Sequence, residues 1–362
     1  MRSPMGNRSV PVVACVLSTV AFFFPASWSL SAPTTHQASH QDEALHGLER
    51  AEALLRHGDL KGAAAAARKA MELNPSSADG HYLLGRILLK DRKPNEAVEE
   101  FLRALKVKPA FAEALNDLAN VYVLQRKSAE AEQALTRAIA VNPQHIESYL
   151  SLAKLYEQRR DLAAAKQTYQ SVLAVAPTQA DALYELATLY DNQGEPKAAR
   201  DTLSRLTTAN PKHANAWYLS GRIAEKNSDL VEAAYAYKQA IAVKPDLVDA
   251  HYNLGFIFRS QGKPEEAERE FLEVIRYRPE YAEAHMNLGF IYTSVNKLED
   301  AEQAYEKAVD LKPGYAEGHY NLGVFYELHR KDMPRALAQY RKYRELGGRD
   351  DRVERIVGST LR

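Results

Sequence analysis

"HYNLGFIF" spans His251–Phe258, "HMNLGFIY" spans His285–Tyr292 and "HYNLGVFY" spans His319–Tyr326, each 34 residues after the last. The same ruler continues upstream. Pro75, Pro109, Pro143, Pro177, Pro211, Pro245, Pro279 and Pro313 are all 34 residues apart. Twelve residues before each stands an alanine: Ala63, Ala97, Ala131, Ala165, Ala199, Ala233, Ala267 and Ala301. Four residues after most of these alanines comes a large side chain, as at Phe101, Leu135, Tyr169, Leu203, Tyr237, Phe271 and Tyr305. Self-similarity at such a period marks a solenoid of stacked units.

Each unit reads as two helices. In 248–281, Ala250, Leu254, Ile257 and Phe258 recur at helical spacing. The stretch 260–264, "SQGKP", is a turn, and Pro264 suits the first helical position, where its missing N–H is not needed. Glu265 and Glu266 sit at the positive end of the second helix, whose apolar stripe is Ala267, Phe271, Val274 and Ile275. Pro279 ends the unit. On the first helix Gly85, Gly221, Gly255, Gly289 and Gly323, with Ala119, Ala153 and Ala187 elsewhere, allow close approach of its partner. A glycine inside a helix costs about 1 kcal/mol, which close packing offsets. One hairpin cannot bury its stripe; a stack can.

Trp217, Gly221, Ala233, Tyr237, Ala240 and Pro245, and likewise Leu254, Gly255, Phe258, Ala267, Phe271 and Pro279, resemble the tetratricopeptide-repeat signature. The resemblance covers 44–350 and implies an all-α, right-handed superhelical solenoid. Nine repeats follow: 44–77, 78–111, 112–145, 146–179, 180–213, 214–247, 248–281, 282–315 and 316–350. The first departs from the pattern with Gly47 and Arg50, as an end repeat with a wet face would. The last carries one extra residue, expected near Asp332–Pro334. Val353, Ile356, Val357 and Leu361 outline a C-terminal capping helix over 351–362.

In similar proteins the side of the first helix turned away from the stack lines a concave surface where partners bind. Here Tyr252, Asn253, Phe256, Asn287, Phe290, Tyr320 and Asn321 take those positions, and they are the candidate protein- or peptide-binding residues. An asparagine amide both donates and accepts, so it can hold a peptide backbone without reading side chains. The line of Asn253, Asn287 and Asn321 resembles the asparagine ladder of O-linked N-acetylglucosamine transferase. It equally reads as a residue tolerated at a wet site. Leu83, Asp117, Ser151, Glu185 and Leu219 break the ladder earlier. Large apolar groups on such a face mark an interaction site. The acids Glu113, Glu147, Asp181, Asp249, Glu283 and Glu317 are expected simply to sit at helix starts. His81, His251, His285 and His319 occupy the tryptophan position of the signature and read as packing residues. Helices pack 8–10 Å apart, too far for neighbouring rungs to share a metal ion, so no metal site is expected.

Lys+Arg and Asp+Glu are both 47, so the net charge is zero. Nucleic acid binding usually needs a basic surplus, and none is expected. The sequence contains no G-x-x-x-x-G-K-[ST], HExxH, G-x-S-x-G or G-x-G-x-x-G. A non-catalytic scaffold for protein or peptide partners is therefore expected, with no cofactor and no small-molecule substrate. An accessory subunit of an envelope assembly, secretion or polysaccharide-export machine is the alternative.

Residues 1–31 have the three-part plan of a signal peptide: Arg2 and Arg8, an apolar run over 10–24, then "PASWSLSAP". Export to the periplasm or beyond is expected; left uncleaved, residues 10–30 would tether the chain to a membrane. The one cysteine, Cys15, lies in this segment, so the mature chain would form no disulfide. Residues 32–43 read as a flexible linker.

Overall fold

A computed structural model describes residues 35–359. Nine helical hairpins follow one another along the chain: α1 (Thr35–Arg56) with α2 (Leu60–Leu73), α3 (Ala78–Lys90) with α4 (Pro94–Val107), and α5 (Ala112–Leu124) with α6 (Ser128–Val141). Next come α7 (Ile146–Gln158) with α8 (Leu162–Val175), α9 (Ala180–Asn192) with α10 (Pro196–Ala209), and α11 (Ala214–Lys226) with α12 (Leu230–Val243). The last three are α13 (Val248–Ser260) with α14 (Pro264–Tyr277), α15 (Ala282–Ser294) with α16 (Leu298–Leu311), and α17 (Ala316–Phe325) with α18 (Met333–Glu345). A short helix, α19 (Asp351–Ser359), closes the stack. The described residues contain no strand. Together the hairpins form a right-handed superhelical solenoid.

The signal segment over 1–31, with its membrane-tethering stretch 10–30 and Cys15, lies outside the described residues. Within them no helix is long and apolar enough to cross a membrane. The linker expected over 32–43 needs correction in its described part, because α1 already runs from Thr35. Residues 35–43 contain neither Gly nor Pro, and extending an existing helix is far easier than nucleating one.

Each hairpin turn places one residue in the left-handed region, at 34-residue intervals from Gly58 through Arg92, Arg126, Arg160, Gly194, Ser228, Gly262 and Asn296. Lys331 follows 35 residues after Asn296. Gly323 still keeps the 34-residue register with Gly289, so the extra residue lies between 323 and 331 rather than near Asp332–Pro334. It is absorbed as a π-helical turn over Tyr326–Arg330, the usual way a helix accommodates one inserted residue.

Seven of the nine second helices start in one of two ways; α6 and α16, which follow Lys127 and Lys297, have neither. Asp59, Asp161, Asp229 and Asp332 each accept a backbone N–H three residues on, while Pro94, Pro196 and Pro264 begin theirs with no donor to satisfy. The periodic alanines and aromatics fill the interior: Ala97, Ala165, Ala233 and Ala267 are fully buried, with Phe101, Tyr169, Tyr237 and Phe271 beside them. Val353 and Val357 of α19 are buried in the same cluster as Phe325 and Tyr340.

Curvature follows from which helices meet. The first helices of successive repeats approach each other directly, α5 with α7, α9 with α11 and α13 with α15, whereas second helices make no comparable approach. The stack therefore bends with its first helices on the inside, and their outward-facing side chains form the inner wall.

Candidate protein-binding site on the inner wall

The inner wall of the last three repeats centres on one cation. The Arg259 guanidinium lies over the Phe256 ring at 4.7 Å from its centroid and over the Phe290 ring at 5.0 Å. Arg259 also donates to the side-chain oxygen of Asn287. Phe256 is one helical turn before Arg259, and Phe290 is one repeat later, so neighbouring repeats supply the two faces. Phe256 is 42% and Phe290 53% exposed. Among the described residues no carboxylate is within ion-pair reach of Arg259, and burial draws the guanidinium's pKa down. A cation between two open aromatic faces is a ready contact for an apolar side chain beside an acid.

The periodic pattern explains why Arg259 is available. The same position in other repeats serves the large residue of the second helix: Tyr237 donates to Glu225, twelve residues before it, at 2.7 Å, and Tyr340 donates to Glu327, thirteen residues before it because of the inserted residue. Phe271 has no hydroxyl, so Arg259 turns outward instead. The sequence reading passed over Arg259, although the pairing of Tyr with an acid twelve residues before it could have exposed it.

The asparagines need a correction. Asn287 is 6% exposed; its amide donates to the Glu283 carbonyl at 2.7 Å and to the Tyr252 hydroxyl at 3.4 Å, and its oxygen takes Arg259. It is an inter-repeat tie, not an open rung. Asn321 reaches back in the same way to the Met286 sulfur at 3.6 Å, and Asn253 donates to the Tyr237 hydroxyl at 3.2 Å. Upstream the chemistry is inverted: the Tyr82 hydroxyl donates to Asp117 at 3.0 Å. A polar residue on one first helix thus grips the preceding repeat, because tyrosine, methionine and amide tips meet where first helices converge.

Tyr252 and Tyr320 are half-buried. Tyr252 packs edge-on to Phe271 at 5.6 Å and against Tyr281 at 5.2 Å. Tyr320 packs against Tyr343 at 5.3 Å. Tyr320 and Asn321 border a hollow of ≈ 240 Å³ with Glu317, Tyr343 and Asp350. Asn253 borders another of ≈ 440 Å³ with Tyr218, Arg222 and Lys226. Phe256 and Phe290 stand between these two hollows along the wall. The acids Glu113, Glu147, Asp181, Asp249, Glu283 and Glu317 all sit in first helical turns, and Lys312 pairs with Glu283 at 2.6 Å.

The histidines turn inward. Trp217 donates its indole N–H to the Pro211 carbonyl at 2.9 Å. His251, His285 and His319 place Nε2 on the carbonyls of Pro245, Pro279 and Pro313 at 2.9, 3.0 and 3.1 Å. Each imidazole thus reproduces the indole's hydrogen bond six residues back, joining a helix start to the periodic proline.

The chain belongs to the tetratricopeptide-repeat (TPR) family. Residues 110–321 match the family described as the cilia and flagella-associated protein 70 C-terminal domain. Residues 35–183 match the TPR domain of cytochrome c-type biogenesis protein H. No curated protein matches the chain. Among solved structures, Pseudomonas aeruginosa PilF is 25% identical with a TM-score of 0.50, over 58% of this chain and 95% of that one. The C-terminal part of a TPR repeat-containing protein from Cytophaga hutchinsonii aligns with a TM-score of 0.57 at 17% identity, over 67% of this chain and 99% of that one. The TPR fold is that of protein–protein interaction scaffolds.

Proposed function

We propose that this TPR protein is a non-catalytic scaffold that holds an extended segment of another protein along the inner wall of its last three repeats. The observation that carries this reading is the pair of exposed rings, Phe256 and Phe290, bracketing Arg259 on the concave side. Exposed aromatics next to arginine have the composition of interface hot spots. Asn253, Asn321 and the edges of Tyr252 and Tyr320 supply flanking polar contacts; Asn287 supports Arg259 from below. A photoreactive residue at 256 or 290 should crosslink one partner segment, identified by mass spectrometry, and Arg259→Ala should abolish the crosslink. Equal crosslinking from an outer-face position such as 231 would overturn the assignment.

The scaffold works outside the cytoplasm in this reading. Its support is the charged, apolar and small-residue plan of residues 1–31. A second reading makes the chain an accessory subunit of an envelope assembly, secretion or polysaccharide-export machine. The match of residues 35–183 to a TPR domain of a cytochrome c-type biogenesis protein favours it. Copurification from membranes separates the two: a stable multi-subunit complex supports the second, a transient partner the first.

A further inference from the structure

The repeat pattern fails at one junction, on the side of the stack away from the inner wall. Directly before the helical glycine or alanine, seven repeats carry a buried leucine, as at Leu118, Leu186, Leu254 and Leu322; the sixth carries Ser220. The facing position on the preceding second helix is apolar at Leu105, Ile139, Leu173, Ile241, Ile275 and Val309. There the fifth repeat carries Thr207. Two adjoining core side chains are thus replaced by short hydroxyl residues at a single interface, between α10 and α11.

The consequence is a hollow of ≈ 610 Å³ lined by Thr207, Ser220 and their neighbours. At the equivalent junction between the second and third repeats, where Leu105 and Leu118 are present, the hollow is ≈ 380 Å³. A core that loses two large side chains without refilling loses packing contacts, so the space calls for an occupant.

The lining identifies its chemistry. Trp217 and Tyr235 meet at 85° with centroids 5.9 Å apart, forming a corner of two aromatic faces. The Trp217 indole N–H is tied to Pro211, which fixes the ring. Tyr235 is 50% exposed. Ser204, Thr208 and Ser220 add hydroxyls. Lys197, Arg200, Asp201, Asp229 and Glu232 add charges of both signs to the lining. The charges nearly cancel, which disfavours a phosphate or a polycation. A ring with one apolar face and an edge of hydroxyls meets all of this: C–H groups lie on the aromatic corner, and hydroxyls both donate to carboxylates and accept from Arg and Lys. We propose that this hollow binds a neutral saccharide. The volume lies within the range of pockets that enclose small ligands.

The site is on the opposite side of the solenoid from the protein-binding wall, so either can fail without the other. Trp28 and Trp217 are the two tryptophans of the chain, so in a full-length Trp28→Phe protein the emission reports this hollow alone. Titration with maltotriose, cellotriose and chitotriose should give a saturable emission change with at least one of them. Ser220→Leu restores the side chain that the neighbouring repeats carry; it should keep the helical circular dichroism, raise the melting temperature and weaken binding about tenfold or more. Tyr235→Ala, at an exposed position, should weaken binding without altering the fold, and decides the matter if Ser220→Leu misfolds. No response to any of the three sugars, an undiminished response in both variants, or saturable binding of N-acetyl-leucinamide in their place would overturn the proposal.

Discussion

His251 shows how one side chain carries both packing and charge. It is buried, its Nε2 faces the Pro245 carbonyl and its Nδ1 faces Glu270 at 2.7 Å. Both acceptors ask for a proton. Burial alone would lower its pKa, but Glu270, the Pro245 carbonyl and the nearby Glu273 outweigh that, and the pKa is raised above 6.5. A raised folded-state value means that the contribution to stability is fully present below the unfolded pKa and is lost as pH rises through the folded one. The urea midpoint of the native chain should therefore fall between about pH 6 and pH 8, and the fall should be smaller in His251→Gln. The histidine ladder was legible as packing, because its spacing forbids a shared ion. Asn287 was not legible: nothing in "HMNLG" says that its amide would be buried under Arg259. Asn287→Ala should cost about 1–3 kcal/mol by denaturant titration, since it leaves the Tyr252 hydroxyl and Arg259 without a buried partner. An unchanged midpoint would return Asn287 to the role of an open peptide contact.

Among the elements, the first helix of each repeat is governed by what faces its small residue. Gly289 has the Tyr305 ring where a Cβ would be, at 2.6 Å, and Gly323 has Tyr340 at 2.6 Å. Gly255 has Phe271 at 3.1 Å. Gly289→Ala should destabilise by about 1–3 kcal/mol through forced displacement of a packed ring. Gly255→Ala should be closer to neutral, because a few tenths of an ångström and the better helix propensity of alanine offset each other. Thermal melting of the two variants side by side checks the ordering. The sequence already paired these small residues with large ones. The π turn before Lys331 was displaced in the reading, because a one-residue excess can be absorbed at any weak point between two fixed registers. The buried Tyr340 and the Asp332 cap hold the downstream register, so the slack falls in Tyr326–Arg330.

Over the whole molecule, each repeat touches only its neighbours, so stability is local and the ends matter most. Val353 and Val357 cover the interior face of the last hairpin. Removing residues 351–362 should speed hydrogen exchange in α17 and α18 while leaving α3–α12 protected; uniform loss of protection along the chain would contradict a nearest-neighbour solenoid. The period of 34, the helix pairs and the buried alanine–aromatic stripes all follow from the order of residues, whereas the inner placement of the first helices was implied by the family resemblance and is set by which helices meet. A repeated local pattern has essentially one way to bury its stripe. Which inner-wall groups stay open did not follow. That depends on side chains 34 or 35 residues apart meeting across the curved seam, where Asn287 is covered, Arg259 is released by the missing hydroxyl of Phe271, and Phe256 and Phe290 are left facing out. The hollow at Ser220 belongs to the same class: two small residues make a cavity only because folding brings Thr207 of the preceding repeat against it.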